Sequence, residues 1–285
     1  MRIHIIGAGT PTPTPARFGS SFVVDVAGEQ LMVDCGPATT YKMVKAGLWP
    51  TDVDYLFFTH HHFDHDVDYP CFLLTRWDQG SDKVKQLQVY GPEPTERLTK
   101  GILSEDGLWN QDWKARVHHP AGQKVYENRG GVLPRQPPEV FSKDIGSGYI
   151  FSSRDWEIKT ATAEHVQPYM DSLAYRLDTP DGTVVFTGDT RPCKTVQDLA
   201  SGADMLLCMC WDDQDVVDTS GESSAVCGTL DAARMAQEAG VKKLVLIHVG
   251  KALEGTSARD KVIGDIQQVF DGDLVFSEEL TTIDL

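Results

Sequence analysis

A cluster of candidate metal ligands lies in the segment FFTHHHFDHD. It places His60, His62, Asp64 and His65 directly after an apolar run that is typical of a buried strand. Imidazole nitrogen and carboxylate oxygen suit zinc, and the spacing of His60 and His62 lets two rings converge on one ion. Asp64 and His65 can then face a second ion. A solvent-exposed histidine run or a terminal tag would lack the interleaved aspartate, so the pattern predicts a metal site.

Three further candidates each follow a strand-like segment later in the chain. They are His165 in AEHVQP, Asp189 in VVFTGDT and His248 in LVLIHVG. Each is weak alone, because a lone histidine is more often structural and Gly-Asp is a common turn. Combined with the motif THHHFDH, their order resembles that of the metallo-β-lactamase superfamily, in which a histidine, a bridging aspartate and a last histidine follow later strands.

The resemblance implies a dinuclear metal centre. Two divalent ions are expected, with zinc as the first choice and manganese or iron as alternatives. Three histidines would bind one ion, an aspartate and two histidines would bind the other, and one aspartate would bridge both. In that order, the implied ligands are His60, His62 and His165, then Asp64, His65 and His248, then Asp189.

The N-terminal segment narrows the resemblance. The run IIGAGTPTPTPARFGSSFVVDVAGEQLMVDCG is similar to the start of the ribonuclease Z and arylsulfatase-like branch of the superfamily. Within this run, Asp34 ends a strand-like stretch and resembles the aspartate that orients the ligand loop in that family. The alternative is that Asp34 is an ordinary turn residue.

Short β-type runs alternate with helical segments in both halves of the chain. The strand-like runs are RIHII, SFVVDVA, QLMVDC, YLFFT and LQVYG, followed by WEIKTATAEH, SLAYRLDT, TVVFTGD, ADMLLCMC and KLVLIH. Helices are predicted over 39–46, 69–77, 94–104 and 229–239. Pattern and resemblance together predict an α/β fold, a four-layer αββα metallo-β-lactamase sandwich of two mixed β-sheets flanked by helices. We expect one domain over 1–285, with the irregular stretch at about 109–147 as an insertion.

The chain is strongly acidic. It has 26 Lys and Arg residues against 42 Asp and Glu residues, which gives a formal net charge of −16. Nucleic-acid binding draws much of its free energy from basic side chains that contact phosphates. The charge balance therefore predicts a small-molecule substrate and makes nucleic acid an unlikely partner.

Two departures from ribonuclease Z point the same way. That family has a histidine that assists the leaving group ahead of the helix before the last ligand strand, whereas this chain has Val226 and Cys227 there. The stretch 109–147 is only mildly basic, whereas an arm that binds transfer RNA is expected to be far more basic. The expected function is hydrolysis of a small-molecule ester, lactone, sulfate or phosphodiester.

The expected mechanism uses a metal-bridging hydroxide, because two cations lower the pKa of the parent water toward neutrality. Asp64 and Asp189 are the expected catalytic residues, which would orient and deprotonate that water. Two alternatives stay open. One is a ribonuclease Z-like phosphodiesterase that acts on RNA, and the other is a non-haem iron oxidoreductase on the same fold.

The sequence gives weaker indications of the cellular compartment and the oligomeric state. No segment resembles a secretory signal or is long and apolar enough to span a bilayer. The six cysteines are scattered without a Cys-x-x-Cys pair, which fits reduced thiols. We expect a cytoplasmic protein without membrane contact, and a homodimer is left open.

Overall fold

The computed structural model describes residues 1–81 and 83–285. The strands, in chain order, are β1 (Arg2–Ala8), β2 (Ser20–Val26), β3 (Glu29–Val33), β4 (Tyr55–Phe57), β5 (Leu87–Gly91), β6 (Val140–Asp144), β7 (Ile150–Ser152), β8 (Glu157–Thr162), β9 (Leu173–Thr179), β10 (Gly182–Phe186), β11 (Met205–Met209), β12 (Lys243–Ile247), β13 (Asp273–Phe276) and β14 (Thr281–Asp284). The α-helices are α1 (Thr39–Lys45), α2 (Phe63–Asp66), α3 (Tyr69–Gly80), α4 (Thr95–Leu103), α5 (Asn110–His118), α6 (Pro120–Asn128), α7 (Lys194–Ala200), α8 (Gln214–Ser220), α9 (Thr229–Ala239) and α10 (Thr256–Ile266). Short 3-10 helices lie at Pro50–Asp52, Glu222–Ser224 and Lys251–Leu253.

The strands form two mixed sheets built on the same plan. The first has the order β14-β1-β2-β3-β4-β5-β6, and the second has the order β13-β12-β11-β10-β9-β8-β7. In the first sheet, β14, β1, β2 and β3 pair antiparallel, and β3 to β6 pair parallel. In the second, β7 to β10 pair antiparallel, and β10 to β13 pair parallel. Strands β8, β10 and β12 therefore run in the same direction, and the loops after them leave the same edge of their sheet.

The core consists of three apolar layers. Between the sheets, aromatic and aliphatic side chains interlock, for example Phe57 and Tyr175 with ring centroids 5.6 Å apart. Outside the first sheet, helix α3 buries Phe72, and outside the second, helix α9 buries Ala236. A helix with one apolar stripe must bury it against another element, and here each sheet supplies an outer face. The predicted αββα sandwich is confirmed.

The stretch 109–147 is more regular than the sequence suggested, because it contains α5, α6 and β6. Helix α5 buries only Trp113 and Val117, which lie one turn apart, so its apolar pattern is short. Helix α6 begins at Pro120, a residue favoured in the first turn of a helix. Strand β6 pairs parallel with β5 at the edge of the first sheet. The assignment of this stretch as an insertion in a single domain stays a prediction.

A buried carboxylate fixes this stretch to helix α3. Arg135 donates to Asp78 at 2.9 Å, Arg116 lies 3.3 Å from the same oxygen, and Arg129 donates to the other. The Arg135 guanidinium also packs over the ring of Trp77, 3.9 Å from its centroid. Three basic residues of the stretch are therefore paired with one carboxylate.

Candidate metal centre

The seven candidate ligands meet where strands of both sheets end. His60 and His62 follow β4, His165 follows β8, Asp189 follows β10 and His248 follows β12. Asp64 and His65 lie in the short helix α2, directly after His62. Strand ends of a packed sandwich are rigid, so side chains that leave them can be held in a fixed constellation.

One group of candidate ligands contains three histidines and an aspartate. The Nδ1 atom of His62 lies 3.0 Å from Nε2 of His60 and 3.2 Å from Nε2 of His165. The Oδ2 atom of Asp189 lies 3.9 Å from Nε2 of both His60 and His165. All four donor atoms fall within 4.8 Å of one another, a spacing that suits a single ion.

The second group contains Asp64, His65 and His248, which are all buried. The Oδ2 atom of Asp64 lies 3.1 Å from Nε2 of His248 and 3.6 Å from Nε2 of His65. Asp189 lies beside this group too, because its Oδ1 is 3.5 Å from His65 and its Oδ2 is 3.3 Å from His248. Asp189 thus stands between the two groups.

Unpaired polar atoms show that the centre fits a cation. The Oδ1 atoms of Asp64 and Asp189 and the Nε2 atom of His65 are buried and have no hydrogen-bond partner. Such atoms cost free energy unless something satisfies them. Nitrogen and carboxylate oxygen donors aimed at one small volume suit zinc, manganese or iron.

Buried charge at the centre also favours a cation. Burial lowers the pKa of His60 well below its ordinary value, so this ring is neutral, the form that binds metal. Burial would also lower the pKa of His65, but Asp189 and Asp34 outweigh it and raise that pKa well above its ordinary value. For Asp189, burial would raise the pKa, but His248 and His65 hold it well below. Positive charge thus stabilises the buried carboxylate of Asp189, and a cation bound between these donors would supply the same charge.

Asp34 lies behind the centre, at the end of β3. Its Oδ2 is 2.7 Å from Nδ1 of His65, and its Oδ1 accepts the backbone N–H of Thr59 at 2.7 Å. Burial raises the pKa of Asp34, and the contacts with His65 and Thr59 oppose that rise. Asp34 and His248 both have positive φ, at 61° and 51°. Such backbone is strained for residues other than glycine and often marks functional sites.

Three contacts at the centre were missed by the sequence reasoning. Thr59, just before the histidine cluster, donates its hydroxyl to Asp34 at 2.8 Å. The ring of His165 donates from Nδ1 to the carbonyl of Ala225 at 2.7 Å, and the ring of Trp211 stacks on His248 at 5.7 Å. Thr59 could have been noticed from its position beside the motif. The carbonyl of Ala225 could not have been identified in this way, because every residue type has a backbone carbonyl.

One histidine of the cluster points away from the centre. His61 turns toward helix α4, where its Nε2 lies 2.8 Å from the hydroxyl of Thr95, and its Nδ1 lies 3.1 Å from Asp66. Val226 and Cys227, which stand where ribonuclease Z is expected to carry its helper histidine, are both buried. The described residues thus hold no titratable imidazole at that place.

A family model described as "Anti-Pycsar protein Apyc1" matches residues 1–269. A ribonuclease Z from Mycobacterium sp. (strain KMS) is 29% identical over 255 residues, which cover 87% of this chain and 84% of that protein. The metallo-β-lactamase fold protein YhfI from Bacillus subtilis superposes with a TM-score of 0.73 at 18% identity, over 99% of this chain and 98% of that one. Human tRNase Z, short form, superposes with a TM-score of 0.69 at 20% identity, over 100% and 99%. The two structural similarities show a shared fold.

The expectation of a small-molecule substrate with nucleic acid unlikely is wrong, because the curated relatives are ribonucleases by name. That expectation rested on the net charge of the whole chain. Recognition of a phosphodiester depends on the groups around the site rather than on the summed charge, so the total is a poor guide to the substrate.

The structure bears on one part of the expectation that the protein has no membrane contact. Among the residues that the structure describes, none of the helices has the length and apolar character that crossing a bilayer requires. The open question of a homodimer stays a prediction.

Proposed function

The chain belongs to the Anti-Pycsar protein Apyc1 family, and from the ribonucleases among its curated relatives we propose that it is a metal-dependent phosphodiesterase that cleaves RNA. It is a hydrolase of the metallo-β-lactamase superfamily, on the ribonuclease Z branch. The observation that carries the proposal is that Asp64, His65 and Asp189 have buried, unpartnered atoms and belong to two adjoining groups of candidate ligands, where strands of both sheets end. RNA is favoured as the substrate because the curated relatives are named for cleaving it.

We propose that the centre binds two divalent ions, with zinc as the first choice. The ligands would be His60, His62 and His165 for one ion, Asp64, His65 and His248 for the other, and Asp189 for both. When bound, such ions lower the pKa of a water molecule and polarise a phosphoryl oxygen.

The two carboxylates of the centre orient the attacking water. The pKa of Asp189 lies well below its ordinary value, and burial would raise that of Asp64, but a hydrogen bond from His248 and the charge of His65 lower it. Both groups are therefore ionised at neutral pH and accept hydrogen bonds from water. A strongly acidic carboxyl is a weak base. We therefore propose that both carboxylates mainly orient the water and contribute less to removing its proton.

The leaving ribose oxygen lacks a protein proton donor at the position of the ribonuclease Z helper histidine. Cys227 is buried there, and its hydrogen bond with Cys208, together with burial, raises the pKa of its thiol well above the ordinary value. A thiol with so high a pKa is a poor general acid near pH 7. We propose that solvent protonates the leaving group, which would make this enzyme slower than one with a helper histidine.

The decisive experiment incubates the metal-loaded protein with precursor transfer RNA and single-stranded RNA at low salt. Cleavage should disappear in His62→Ala and persist in His118→Ala, a change of an exposed histidine in α5. Elemental analysis should give two ions per chain, and one ion or fewer would contradict the dinuclear assignment. Cleavage of a cyclic mononucleotide without cleavage of any RNA would overturn the RNA substrate, and inactivity on both would overturn the phosphodiesterase.

A further inference from the structure

An exposed aromatic side chain stands inside the metal motif itself. Phe63 is the first residue of α2, between His62 and the buried Asp64. Its two successors on the helix, Asp64 and His65, are 1% exposed, whereas Phe63 is 53% exposed. The helix thus turns its polar residues inward to the centre and presents an aromatic ring to solvent, so burial does not account for a phenylalanine here.

A second exposed ring stands beside another candidate ligand. Tyr169 is 92% exposed, and its backbone N–H donates to the carbonyl of Val166 at 3.1 Å, which closes a turn directly after His165. Such a turn keeps its end Cα atoms within about 7 Å, and neighbouring Cα atoms are about 3.8 Å apart. The Cα atom of Tyr169 therefore lies within about 11 Å of that of His165.

Each of the two exposed residues lies close in the chain to one of two candidate ligands that touch each other. The rings of His62 and His165 are in contact, with centroids 5.0 Å apart. Phe63 directly follows His62, and Tyr169 follows His165 by four residues. One exposed apolar side chain is ordinary on a protein surface. Two exposed aromatic rings beside one pair of candidate ligands offer faces on which planar groups can stack.

The pairing of basic side chains bears on how a nucleic acid would be bound. The three arginines of the stretch 109–147 that approach Asp78 are already paired with it, so their charge is not free to bind phosphates. Attraction of a phosphate backbone to these three arginines is therefore a poor source of affinity. Stacking of a base on an aromatic ring needs no positive charge and tolerates any base.

We propose that Phe63 and Tyr169 bind the substrate by stacking on the bases that flank the phosphodiester at the metal centre. The inference rests on the proposed RNA cleavage and identifies the bases as the part of the substrate that these two residues bind. Recognition would then use the bases of a single-stranded segment, since paired bases offer no free face.

The test compares a short single-stranded oligoribonucleotide with the same strand made abasic on both sides of the scissile phosphodiester. Phe63→Ala and Tyr169→Ala should each raise KM for the intact strand about tenfold or more, with little change in kcat. Neither change should matter on the abasic strand. Phe63→Tyr should keep the low KM, and the metal content of every variant should equal that of the wild type.

Trp49→Ala provides the matched control. Trp49 is equally exposed, at 53%, but precedes β4, at the end of the strand opposite to the histidine cluster. Its change should leave KM as it is. Wild-type cleavage of RNA with unchanged KM in both Phe63→Ala and Tyr169→Ala would overturn the stacking alone, whereas absence of RNA cleavage by the wild type would overturn the proposed function and the stacking with it.

Discussion

The carboxylate of Asp34 lies 2.7 Å from Nδ1 of His65, on the side of the ring that faces away from the candidate metal centre. Both side chains are 1% exposed. The contact fixes the orientation of the imidazole and leaves Nε2 directed at Asp64 and Asp189, 3.6 and 3.5 Å away. A carboxylate in this position also raises the basicity of a ligating histidine.

Asp34→Asn should therefore weaken metal binding without unfolding the protein. The amide keeps the shape of the carboxylate but removes its charge, and loss of such a contact typically lowers metal affinity about 10- to 100-fold. Competition with a chelator measures the affinity. Asp25→Asn is the matched control, because Asp25 makes a similar contact with His4 at 2.8 Å far from the centre. Equal affinities in wild type and Asp34→Asn would mean that His65 is held by other contacts.

Asp189→Ala should cost at least one ion per chain and orders of magnitude in rate. Asp189 contacts both groups of candidate ligands, so its removal takes a donor from each at once. Elemental analysis and hydrolysis rates measure the effect. Asp198→Ala, which removes an exposed carboxylate paired only with Lys194 in α7, should change neither. Wild-type metal content and rate in Asp189→Ala would rule out a bridging role.

Gly36→Ala should disturb the metal centre through the backbone. A Cβ atom at Gly36 would lie 2.1 Å from the carbonyl oxygen of Asp64 and 2.8 Å from backbone atoms of Ser20. Backbone on both sides must shift, at a cost of about 1 to 3 kcal/mol in unfolding free energy and with weaker metal binding. Chemical denaturation and metal titration measure both. Gly101→Ala in helix α4 meets no atom within 4 Å and should be neutral or slightly stabilising, and the same behaviour at Gly36 would refute the crowding argument.

Asp78→Asn should loosen the stretch 109–147. It leaves buried Arg135 without its carboxylate, which costs about 3 kcal/mol in unfolding free energy. Asp112→Asn removes an exposed pair with Arg116 and should cost less than about 1 kcal/mol. Urea denaturation measures both, and equal effects would show that Asp78 acts as an ordinary surface charge.

The same carboxylate should make stability depend on pH. Burial would raise the pKa of Asp78, but hydrogen bonds from Arg135 and Arg129 outweigh it and hold that pKa below its ordinary value. The unfolded chain then takes up the proton first, so the contribution of Asp78 is complete above about pH 4 and is lost as the pH falls further. The difference in unfolding free energy between wild type and Asp78→Asn should be constant near neutral pH and shrink below about pH 4. A constant difference down to strongly acidic pH would contradict the lowered pKa.

The sequence was informative where a segment is buried on both faces. Runs such as those of β4, β11 and β12 are continuously apolar because they lie between the sheets and the helices, and each was predicted as a strand. The strands at the sheet edges, β6, β7, β13 and β14, were missed. Their side chains are largely half-buried or exposed, so their composition resembles that of loops.

The same limit applies to the candidate centre. Histidines and aspartates after strands are visible as residue types, and the structure brings all seven into two adjoining groups. What holds them is less visible, because the partner of His165 is a backbone carbonyl 60 residues away at Ala225. The substrate was misjudged for a related reason, since a summed charge contains no positions, and the pairing of Arg135 with Asp78 became apparent only in the fold.

The separation of the candidate ligands along the chain determines when, during translation, the complete set can assemble. Asp64 and His248 approach within 3.1 Å although they are 184 positions apart in the chain, and β1 completes its pairing only with β14, where Arg2 faces Asp284. A ribosome that adds about 5 to 20 residues per second needs about 10 to 40 seconds to pass from one ligand to the other. During that interval the nascent protein exposes an incomplete histidine cluster and a first strand that lacks its β14 partner. Assembly of the full set of candidate ligands is therefore a late event in the life of each new molecule.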